Sequence, residues 1–555
     1  MLDSSPMAAG LAELAPQQLR SILASYFPQG ATCAEKVSTI EAGLRSPLGQ
    51  SIRETMARWI VDEIVPVERL VPKEYLHWRP PVRDSMMFVV ARLSSQRLAP
   101  KLLEQMELPL DTPPEVRLLR LIAKVPGLQK LGQVIARNQH LHPALRRALS
   151  KLENGIRDVE PAAVRSVVLT ALGPKAKRFE VEVSTQILKE ASVSAVIRFS
   201  WKNPQTGHRE RGVFKVLKPH IPQYFAEDMD YLQGLANYFG ERHHRYGFPA
   251  HLIPDTFRKV RRLLRHEVNF RREQKTLAEA AVLYRSYRGV RIPRVIQPLC
   301  TNTITALSEE RGLKVTNAVL RLSPKARRKV AERLMEALIA VPLLSASPNA
   351  VFHGDPHAGN LLYSSRTGEL VILDWALRER MGREQRRHLA LLFLMVTLRD
   401  PAGVYNEIMA LAQHRPPSAS HLARRTREVI TEFLDALPAS TLPGAADAMR
   451  LLESVAMQGV KFAASLIILS KVMFTLEGIL GDLVGSDITM GLTVARHVAL
   501  HWLGNRSEFR LPLMRIDWIT LQCSALLLVS RLGIQWQQTM LNRWLKPDSA
   551  TAAAS

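Results

Sequence analysis

The sequence has few cysteines, few aromatic residues and no long uncharged apolar run. Its 555 residues include only Cys33, Cys300 and Cys523, which lie far apart without a Cys-x-x-Cys or Cys-His cluster. This spacing excludes a disulfide framework and a thiolate metal site, and it favours a reducing compartment. Aromatic residues make up 6% of the chain, which argues against an RNA-binding platform of stacked rings.

The uncharged apolar runs are too short for a membrane span. A spanning helix needs about 20 apolar residues, whereas the longest run here, Trp518 to Ser530, has thirteen and the run from Phe462 to Ser470 has nine. We therefore expect no membrane-spanning helix. Residues 1–16 lack the basic and then apolar order of a secretory signal, so we expect a cytoplasmic location.

Residues 511–545 allow two interpretations. The segment is apolar but carries three tryptophans and three arginines, and a lysine follows it directly. These are Trp518, Trp536, Trp544, Arg515, Arg531, Arg543 and Lys546. Such a helix can lie in the plane of a membrane surface, or it can pack on the core of its own protein. The first interpretation would place the protein peripherally on the inner face of a membrane.

The chain is strongly basic. It has 75 Lys and Arg against 51 Asp and Glu, a formal net charge of +24. Such a field attracts nucleic acid, anionic lipid or nucleotide phosphates, but it does not specify the fold. Basic runs at 258–275, 325–329, 378–387 and 424–427 have no zinc-finger spacing and no clear helix-turn-helix around them. We therefore expect no specific nucleic-acid partner, and a nucleic-acid binder is the least favoured of three hypotheses.

The chain pattern predicts an α+β protein that is mostly helical. We divide it into an N-terminal helical extension of unknown role (1–115), a second helical extension (116–180), a region with a small sheet and a basic helix (181–310), a helical region (311–500) and a C-terminal helix with a disordered tail (501–555). β-Branched runs at 193–201 and 212–219 predict a hairpin. Short strands are expected at 289–295 and 301–307, and a second hairpin within 359–375 with its turn at 364–368.

Three polar residues around this second hairpin indicate phosphoryl transfer. Asp355 and Asn360 are five positions apart, and Asp374 follows a predicted strand fourteen positions beyond Asn360. Protein kinases use this order: one aspartate orients the nucleophile, and the asparagine and a second aspartate hold Mg²⁺. Hard oxygen ligands suit that ion.

A kinase-like site also needs a lysine on a strand and a glutamate on a helix. Lys215 lies within the apolar run of the first hairpin, where burial is costly unless the ammonium is paired. Glu267 and Glu273 are the candidate partners, and we treat both as part of one basic helical segment. The alternative is that these glutamates only balance nearby cations on a solvated helix.

At these residues the chain resembles the UbiB/ADCK/AarF family of atypical protein-kinase-like proteins. The family's catalytic segment reads close to Phe-His-Ala-Asp-Pro-His-Pro-Gly-Asn, and residues 352–360 here read Phe-His-Gly-Asp-Pro-His-Ala-Gly-Asn. A second family motif, Lys-x-Gly-Gln, is present as residues 130–133. The resemblance extends over residues 128–485, about two thirds of the chain.

The resemblance implies a two-lobed protein-kinase-like fold with the Lys-x-Gly-Gln helices over the nucleotide cleft. It implies ATP and Mg²⁺ as cofactors, ATPase or small-molecule (lipid) kinase activity, and work at a membrane with lipid-biosynthetic proteins on isoprenoid quinone or related lipid metabolism. The resemblance also implies roles for single residues. The implied catalytic residues are Asp355, Lys215, Lys130 and Gln133, and the implied metal ligands are Asn360 and Asp374. The implied nucleotide-binding residues are Ala191, Ser192, Lys215, Glu267 and Glu273.

Several positions depart from the family pattern. Lys189 and Glu190 precede Ala191 and Ser192 in place of an Ala-rich phosphate loop, and Asn269 replaces the aspartate of Glu-x-Asp. Trp375-Ala376 replaces Phe-Gly, and Ala136 replaces a serine. The resemblance leaves open which glutamate pairs with which lysine. It also leaves open a non-catalytic, nucleotide-binding scaffold as an alternative to an enzyme.

Overall fold

A computed structural model of the chain describes residues 27–130, 159–247, 252–484 and 513–545. Within these ranges, positions 28, 29, 52, 72, 74, 75, 77, 78, 110, 286, 288, 346, 418, 419 and 439–442 are excepted. The chain forms two compact units. Unit 1 comprises Met1–Arg271 and Val295–Glu309, and unit 2 comprises Arg272–Arg294 and Glu310–Ser555.

Unit 1 contains a four-stranded antiparallel sheet in the order β1-β2-β3-β5. Its strands are β1 (Glu182–Glu190), β2 (Ser194–Lys202), β3 (Arg209–Leu217) and β5 (Ile304–Ser308). The β2–β3 turn closes at Gly207, whose N–H donates to Asn203 O over 2.8 Å at a φ of 71° that favours glycine. Apolar side chains on one face of the sheet, such as Phe199 and Phe214, form a core with the helix Pro161–Leu172.

Most helices of unit 1 share one further core. They are α1 (Cys33–Arg45), α2 (Pro47–Ser51), α3 (Arg53–Trp59), α4 (Val67–Leu70), α5 (Arg79–Arg92), α6 (Ser95–Glu107), α7 (Pro114–Ile122), α8 (Pro161–Leu172), α9 (Pro174–Arg178), α10 (His220–Tyr246) and α11 (Leu252–Glu267). Phe88 of α5 and Leu98 of α6 are buried in the same cluster as Leu232 of α10 and Leu264 of α11. The N-terminal helices are therefore an integral part of unit 1.

A buried ion pair also joins the N-terminal helices to α10. The Arg97 guanidinium lies 2.7 Å from the Asp228 carboxylate, and both side chains are almost fully buried. Asp228 accepts a further hydrogen bond from the N–H of Gly127 over 3.0 Å. Because each charge is paired and hydrogen-bonded, the pair can be held in a dry interior.

Unit 2 contains two small sheets. The first has the order β4-β9-β8-β6, and the second pairs β7 with β10. The strands are β4 (Val290–Arg291), β6 (Leu313–Lys314), β7 (Asn349–His353), β8 (Leu361–Ser364), β9 (Glu369–Ile372) and β10 (Arg378–Gly382). The β8–β9 turn closes with the N–H of Gly368 donating to Ser364 O over 2.7 Å.

Helices make up the rest of the described part of unit 2. They are α12 (Phe270–Leu283, which begins in unit 1), α13 (Val315–Ala318), α14 (Pro324–Met335), α15 (Val341–Leu344), α16 (Arg383–Thr397), α17 (Pro401–Leu411), α18 (His421–Ala436), α19 (Ala445–Met457), α20 (Ala464–Val484) and α21 (Arg515–Leu545). By length and composition, α20 could cross a membrane, which the short uncharged runs did not predict. Half of its most apolar window is buried inside the protein, as in a core helix.

Helix α21 differs from α20 because most of its apolar side chains are exposed. Its first turns are held by α16 and the loop after it: Asp517 forms an ion pair with Arg387, and the Ser524 hydroxyl donates to Asp400 over 2.7 Å. Beyond this point large side chains face solvent, including Leu526, Val529, Ile534 and Trp536. The interpretation of this segment as a helix packed on its own core therefore applies only to its beginning.

Candidate functional site

The catalytic segment of unit 2 begins where β7 ends. The N–H of Gly354 donates to Leu377 O over 3.0 Å and continues the β7–β10 pairing by one position. A Cβ at position 354 would lie 2.9 Å from Leu377 Cγ, so glycine permits this close approach. The loop that carries Asp355 is thereby fixed to the segment that follows Asp374.

His353 connects the two halves of this site. Its Nδ1 accepts a hydrogen bond from the N–H of Asp355 over 3.1 Å. Its Nε2 lies 3.0 Å from Leu373 O, and since a carbonyl only accepts, Nε2 carries the proton. Burial lowers the pKa of the His353 imidazole below its ordinary value of 6.5. The neutral ring is thus the form that fits both bonds.

Asn360 lies beside Asp355 and close to Asp374. Its Nδ2 donates to Asp355 O over 3.3 Å, and its backbone O accepts from the N–H of Leu373 over 2.8 Å. Because the amide nitrogen is used by the backbone, the side-chain oxygen is the group suited to bind a cation. His357 Nδ1 accepts from the N–H of Gly359 over 3.1 Å and caps the turn that carries Asn360.

Asp374 has an unusual backbone conformation. Its φ is 53°, which non-glycine residues rarely adopt, and strained residues of this kind cluster at functional sites. The next residue, Trp375, is fully buried, and its ring meets the His353 ring edge-on at 4.9 Å between centroids. The large ring holds the Asp374 backbone in place from one side.

A residue that the sequence analysis did not assign to the site lies in its centre. Lys471 of α20 places its Nζ 3.0 Å from Asp355 Oδ1, although the two residues are 116 positions apart. No local pattern marks this lysine, because it belongs to an apolar helix far along the chain. Its only sequence signal is that it is the one cation in Ala464–Val484.

In unit 1, the nucleotide-binding candidates lie on β3 and on the turn that joins β1 to β2. Lys215 is opposite Val196 of β2 and Thr305 of β5. Its side chain is half-buried, and Nζ lies 5.9 Å from the centroid of the Phe270 ring. Ala191 closes the turn with an N–H to Ser194 O bond of 2.8 Å.

Glu267 joins this turn to the Lys-x-Gly-Gln lysine. Its carboxylate forms an ion pair with Lys130 and accepts a hydrogen bond from the Ser192 hydroxyl over 3.1 Å. This contact shows that Glu267 is the partner of Lys130, a question that the sequence left open. Gln133 and Ala136 lie outside the described residues.

Glu267 and Glu273 belong to two helices, and the expectation of one helical segment is wrong. Helix α11 ends at Glu267 and α12 begins at Phe270, so a two-residue break that includes Asn269 separates them. Glu273 lies in the first turn of α12, and its side chain is buried. It belongs to unit 2, whereas Glu267 belongs to unit 1.

The departure at Glu190 has a structural explanation. Its carboxylate lies 3.2 Å from the ammonium of Lys218, and both side chains are almost fully buried, with 5% and 1% exposed. Glu190 is thus turned into the interior of unit 1 and pairs with the end of β3. The sequence analysis missed this pair because Glu190 ends β1 and Lys218 follows β3, so that their contact depends on the tertiary fold.

The oxygen donors of unit 2 fit Mg²⁺. Asn360 and Asp374 supply an amide and a carboxylate oxygen on segments joined by the Asn360–Leu373 hydrogen bond. Mg²⁺ commonly takes one or two protein carboxylates or amides together with phosphates and water. Among the described residues, no group of three or more His, Cys, Asp or Glu could hold a metal ion.

Comparisons with known proteins indicate a kinase-like domain. A family model described as the ABC1 atypical kinase-like domain matches residues 151–408. The "Uncharacterized protein sll1770" of Synechocystis sp. is 24% identical over 395 residues, covering 70% of this chain and 65% of that protein. The "Probable protein kinase UbiB" of Sodalis glossinidius is 25% identical over 284 residues, 49% of each chain.

The protein with the same name from Xylella fastidiosa is 24% identical over 368 residues, covering 64% of this chain and 63% of that one. The chain thus spans about half to two thirds of the length of these relatives. Among solved structures, the complex of Rv3197 with erythromycin from Mycobacterium tuberculosis has a TM-score of 0.42 and 16% identity, over 64% of this chain and 87% of that one.

Proposed function

Residues 151–408 form an ABC1 atypical kinase-like domain of the UbiB/ADCK/AarF family, and from this premise we propose that the protein is an ATP-binding, Mg²⁺-dependent phosphoryl-transfer enzyme. It hydrolyses ATP or phosphorylates a small molecule or lipid at a membrane surface. The observation that carries the proposal is the hydrogen-bonded link through His353, which fixes the Asp355 loop to the segment bearing Asp374.

In the proposed reaction Asp355 orients the nucleophile, a water or a substrate hydroxyl, and accepts its proton. The nucleophile oxygen forms a bond to the γ-phosphorus, and the bond from that phosphorus to the β–γ bridging oxygen breaks, so that ADP leaves with the electron pair. Asn360 and Asp374 hold the metal ion. Mg²⁺, when bound, supplies charge neutralisation of the phosphate oxygens.

The residues of unit 1 would bind the nucleotide. Lys215 is suited to contact phosphate oxygens because its ammonium is half-buried on a rigid strand. The N–H of Ala191 is bonded to Ser194 O, so the other backbone N–H groups of the turn, beginning with that of Ser192, are the ones suited to bind phosphate without a glycine-rich loop. The Lys130–Glu267 pair fixes that turn through Ser192.

Turnover separates the enzyme from the non-catalytic scaffold. We expect the purified chain to bind Mg-ATP and to release phosphate, and Asp355→Asn to abolish release while the affinity for ATP is retained. Lys215→Ala should weaken ATP binding. Asp374→Ala should abolish phosphate release, and the variant should no longer respond to Mg²⁺. Asp435→Asn, on the exposed face of α18, is the matched control and should behave as wild type.

Each outcome assigns the protein to one class. ATP binding without phosphate release in the wild type would favour the scaffold, which would support a lipid-biosynthetic assembly by changing shape with nucleotide. Absence of ATP binding would contradict both proposals. With γ-labelled ATP and liposomes, label in the lipid phase identifies a lipid kinase, and label released as free phosphate identifies an ATPase.

The membrane part of the proposal is supported by α21 and by the charge. Beyond Ser524 the helix exposes large apolar side chains, and the chain carries a net charge of +24. An apolar helix binds a bilayer surface through its buried area, and basic residues add attraction to anionic lipid. The resemblance implies isoprenoid quinone or related lipid metabolism as the process that this activity supports.

A further inference from the structure

Lys471 stands out because it bonds the side chain of the catalytic-loop aspartate from a distant helix. Its Nζ lies 3.0 Å from Asp355 Oδ1, within unit 2. The side chain of Lys471 is 39% exposed and that of Asp355 is 23% exposed. The pair therefore lies where a solvent-borne ligand can reach it.

The helix around Lys471 is rigidly packed. On one side, the Ser470 hydroxyl donates to Glu453 of α19 over 2.7 Å. On the other side, Val472 and Met473 are fully buried. An ammonium on a helix held in this way has a fixed point of attachment, and a rigid element positions a functional group more accurately than a loop.

The backbone contacts of Asp355 orient the loop but leave its side chain to be fixed separately. Its N–H is held by His353 and its carbonyl by Asn360. The Lys471 bond holds Oδ1 and so restricts the rotation of the carboxylate and the direction of its other oxygen. The rate of phosphoryl transfer depends steeply on such placement.

We propose that Lys471 is a positioning residue that orients the Asp355 carboxylate for phosphoryl transfer. This inference rests on the proposed function, because it assigns a task to Lys471 only if Asp355 acts on a nucleophile. The competing view is that the contact is an ordinary half-exposed ion pair, which contributes little.

The test compares Lys471→Met, Lys471→Arg and the control Lys461→Met in the full chain. Lys461 is an exposed lysine ten positions earlier. We expect Lys471→Met to lower kcat for phosphate release about tenfold or more, with KM for ATP and directly measured ATP affinity within about twofold of wild type. Lys471→Arg should recover most of kcat because a guanidinium can bond the same oxygen. Lys461→Met should have no effect.

An unchanged kcat in Lys471→Met would overturn the inference while leaving the proposed function intact. An equal loss of ATP affinity would also overturn it, since that result indicates a binding or folding role. Absence of turnover in the wild type would instead contradict the proposed function.

A readout without turnover completes the test. In a double-mutant cycle with Asp355→Asn, the thermal midpoints should be non-additive if Lys471 and Asp355 are coupled in solution. If the changes in thermal midpoint are additive, Lys471 and Asp355 are not in contact in solution, and the inference is wrong.

Discussion

Lys130 and Glu267, 137 positions apart, form an ion pair whose carboxylate also accepts the Ser192 hydroxyl. The side chains are largely buried, with 16% and 23% exposed. One carboxylate thus joins the Lys-x-Gly-Gln segment, the end of α11 and the turn between β1 and β2. Removing its charge should affect all three.

We expect Glu267→Gln to weaken ATP binding by about 1.5–3 kcal/mol, the size of one hydrogen bond to a charged group. The physical reason is that the turn at Ser192 loses its anionic anchor. Isothermal titration with ATP measures the change. Glu241→Gln, at an exposed pair on α10, is the control, and equal affinities of both variants and the wild type would contradict the role of Glu267.

The buried pair of Glu190 and Lys218 should contribute strongly to the stability of the folded chain. Glu190→Gln leaves the Lys218 ammonium without its carboxylate in the interior, and we expect the free energy of unfolding to fall by about 3–5 kcal/mol. Denaturant unfolding followed by circular dichroism measures it. Lys202→Gln, which removes an exposed partner of Glu180, should change stability far less.

The double variant Glu190→Leu/Lys218→Met provides the complementary measurement. Replacing both charges by apolar groups removes the desolvation cost as well as the attraction. We therefore expect it to be more stable than Glu190→Gln. A double variant that is no more stable than the single one would show that the loss has another origin.

His353 predicts a pH dependence of stability. Burial lowers the pKa of the folded imidazole below 6.5, so between that lowered value and 6.5 the unfolded state binds more protons than the folded state. The contribution of His353 is complete above pH 6.5 and is lost as the pH falls through this window. Unfolding titrations in EDTA from pH 7.5 to 5 measure the slope.

In His353→Gln this slope should become shallower, since glutamine does not titrate. His208, exposed on the β2–β3 turn, is the control, and His208→Gln should keep the wild-type slope. The prediction is wrong if the two variants have the same pH dependence.

The exposed part of α21 predicts membrane binding that added negative charges weaken. We expect Leu526→Glu/Trp536→Glu to reduce binding to anionic liposomes several-fold, because each charge must be dehydrated to enter the interface. Vesicle sedimentation at fixed salt measures it. Leu320→Glu, at a leucine that is even more exposed, is the control, and equal binding of the two variants would contradict a role of α21.

Local patterns predicted some elements and missed others. The hairpins β2–β3 and β8–β9 were predicted, within a few residues, from β-branched runs with turn residues between them. Strand β1 was missed because most of its side chains are exposed and show no alternation. Strands β7 and β10 were missed because each is five residues long and its partner lies far along the chain.

The kinase-like α+β fold and the family resemblance are confirmed. The candidate residues Asp355, Asn360 and Asp374 were found because they are close in sequence and their spacing is characteristic. Lys471 and the Glu190–Lys218 pair depend on tertiary contacts, for which one sequence has no signal. The roles of the candidate residues stay predictions.

The close approach of Gly354 to Leu377 has a practical consequence for engineering. Related catalytic segments carry alanine at this position, so a consensus design would introduce Gly354→Ala, a kind of change that commonly stabilises proteins. Here the added methyl group would lie 2.9 Å from Leu377 Cγ and 3.2 Å from its carbonyl oxygen. A smaller residue at position 377 would relieve the first contact but not the second, so alanine at position 354 also requires the backbone of residue 377 to shift.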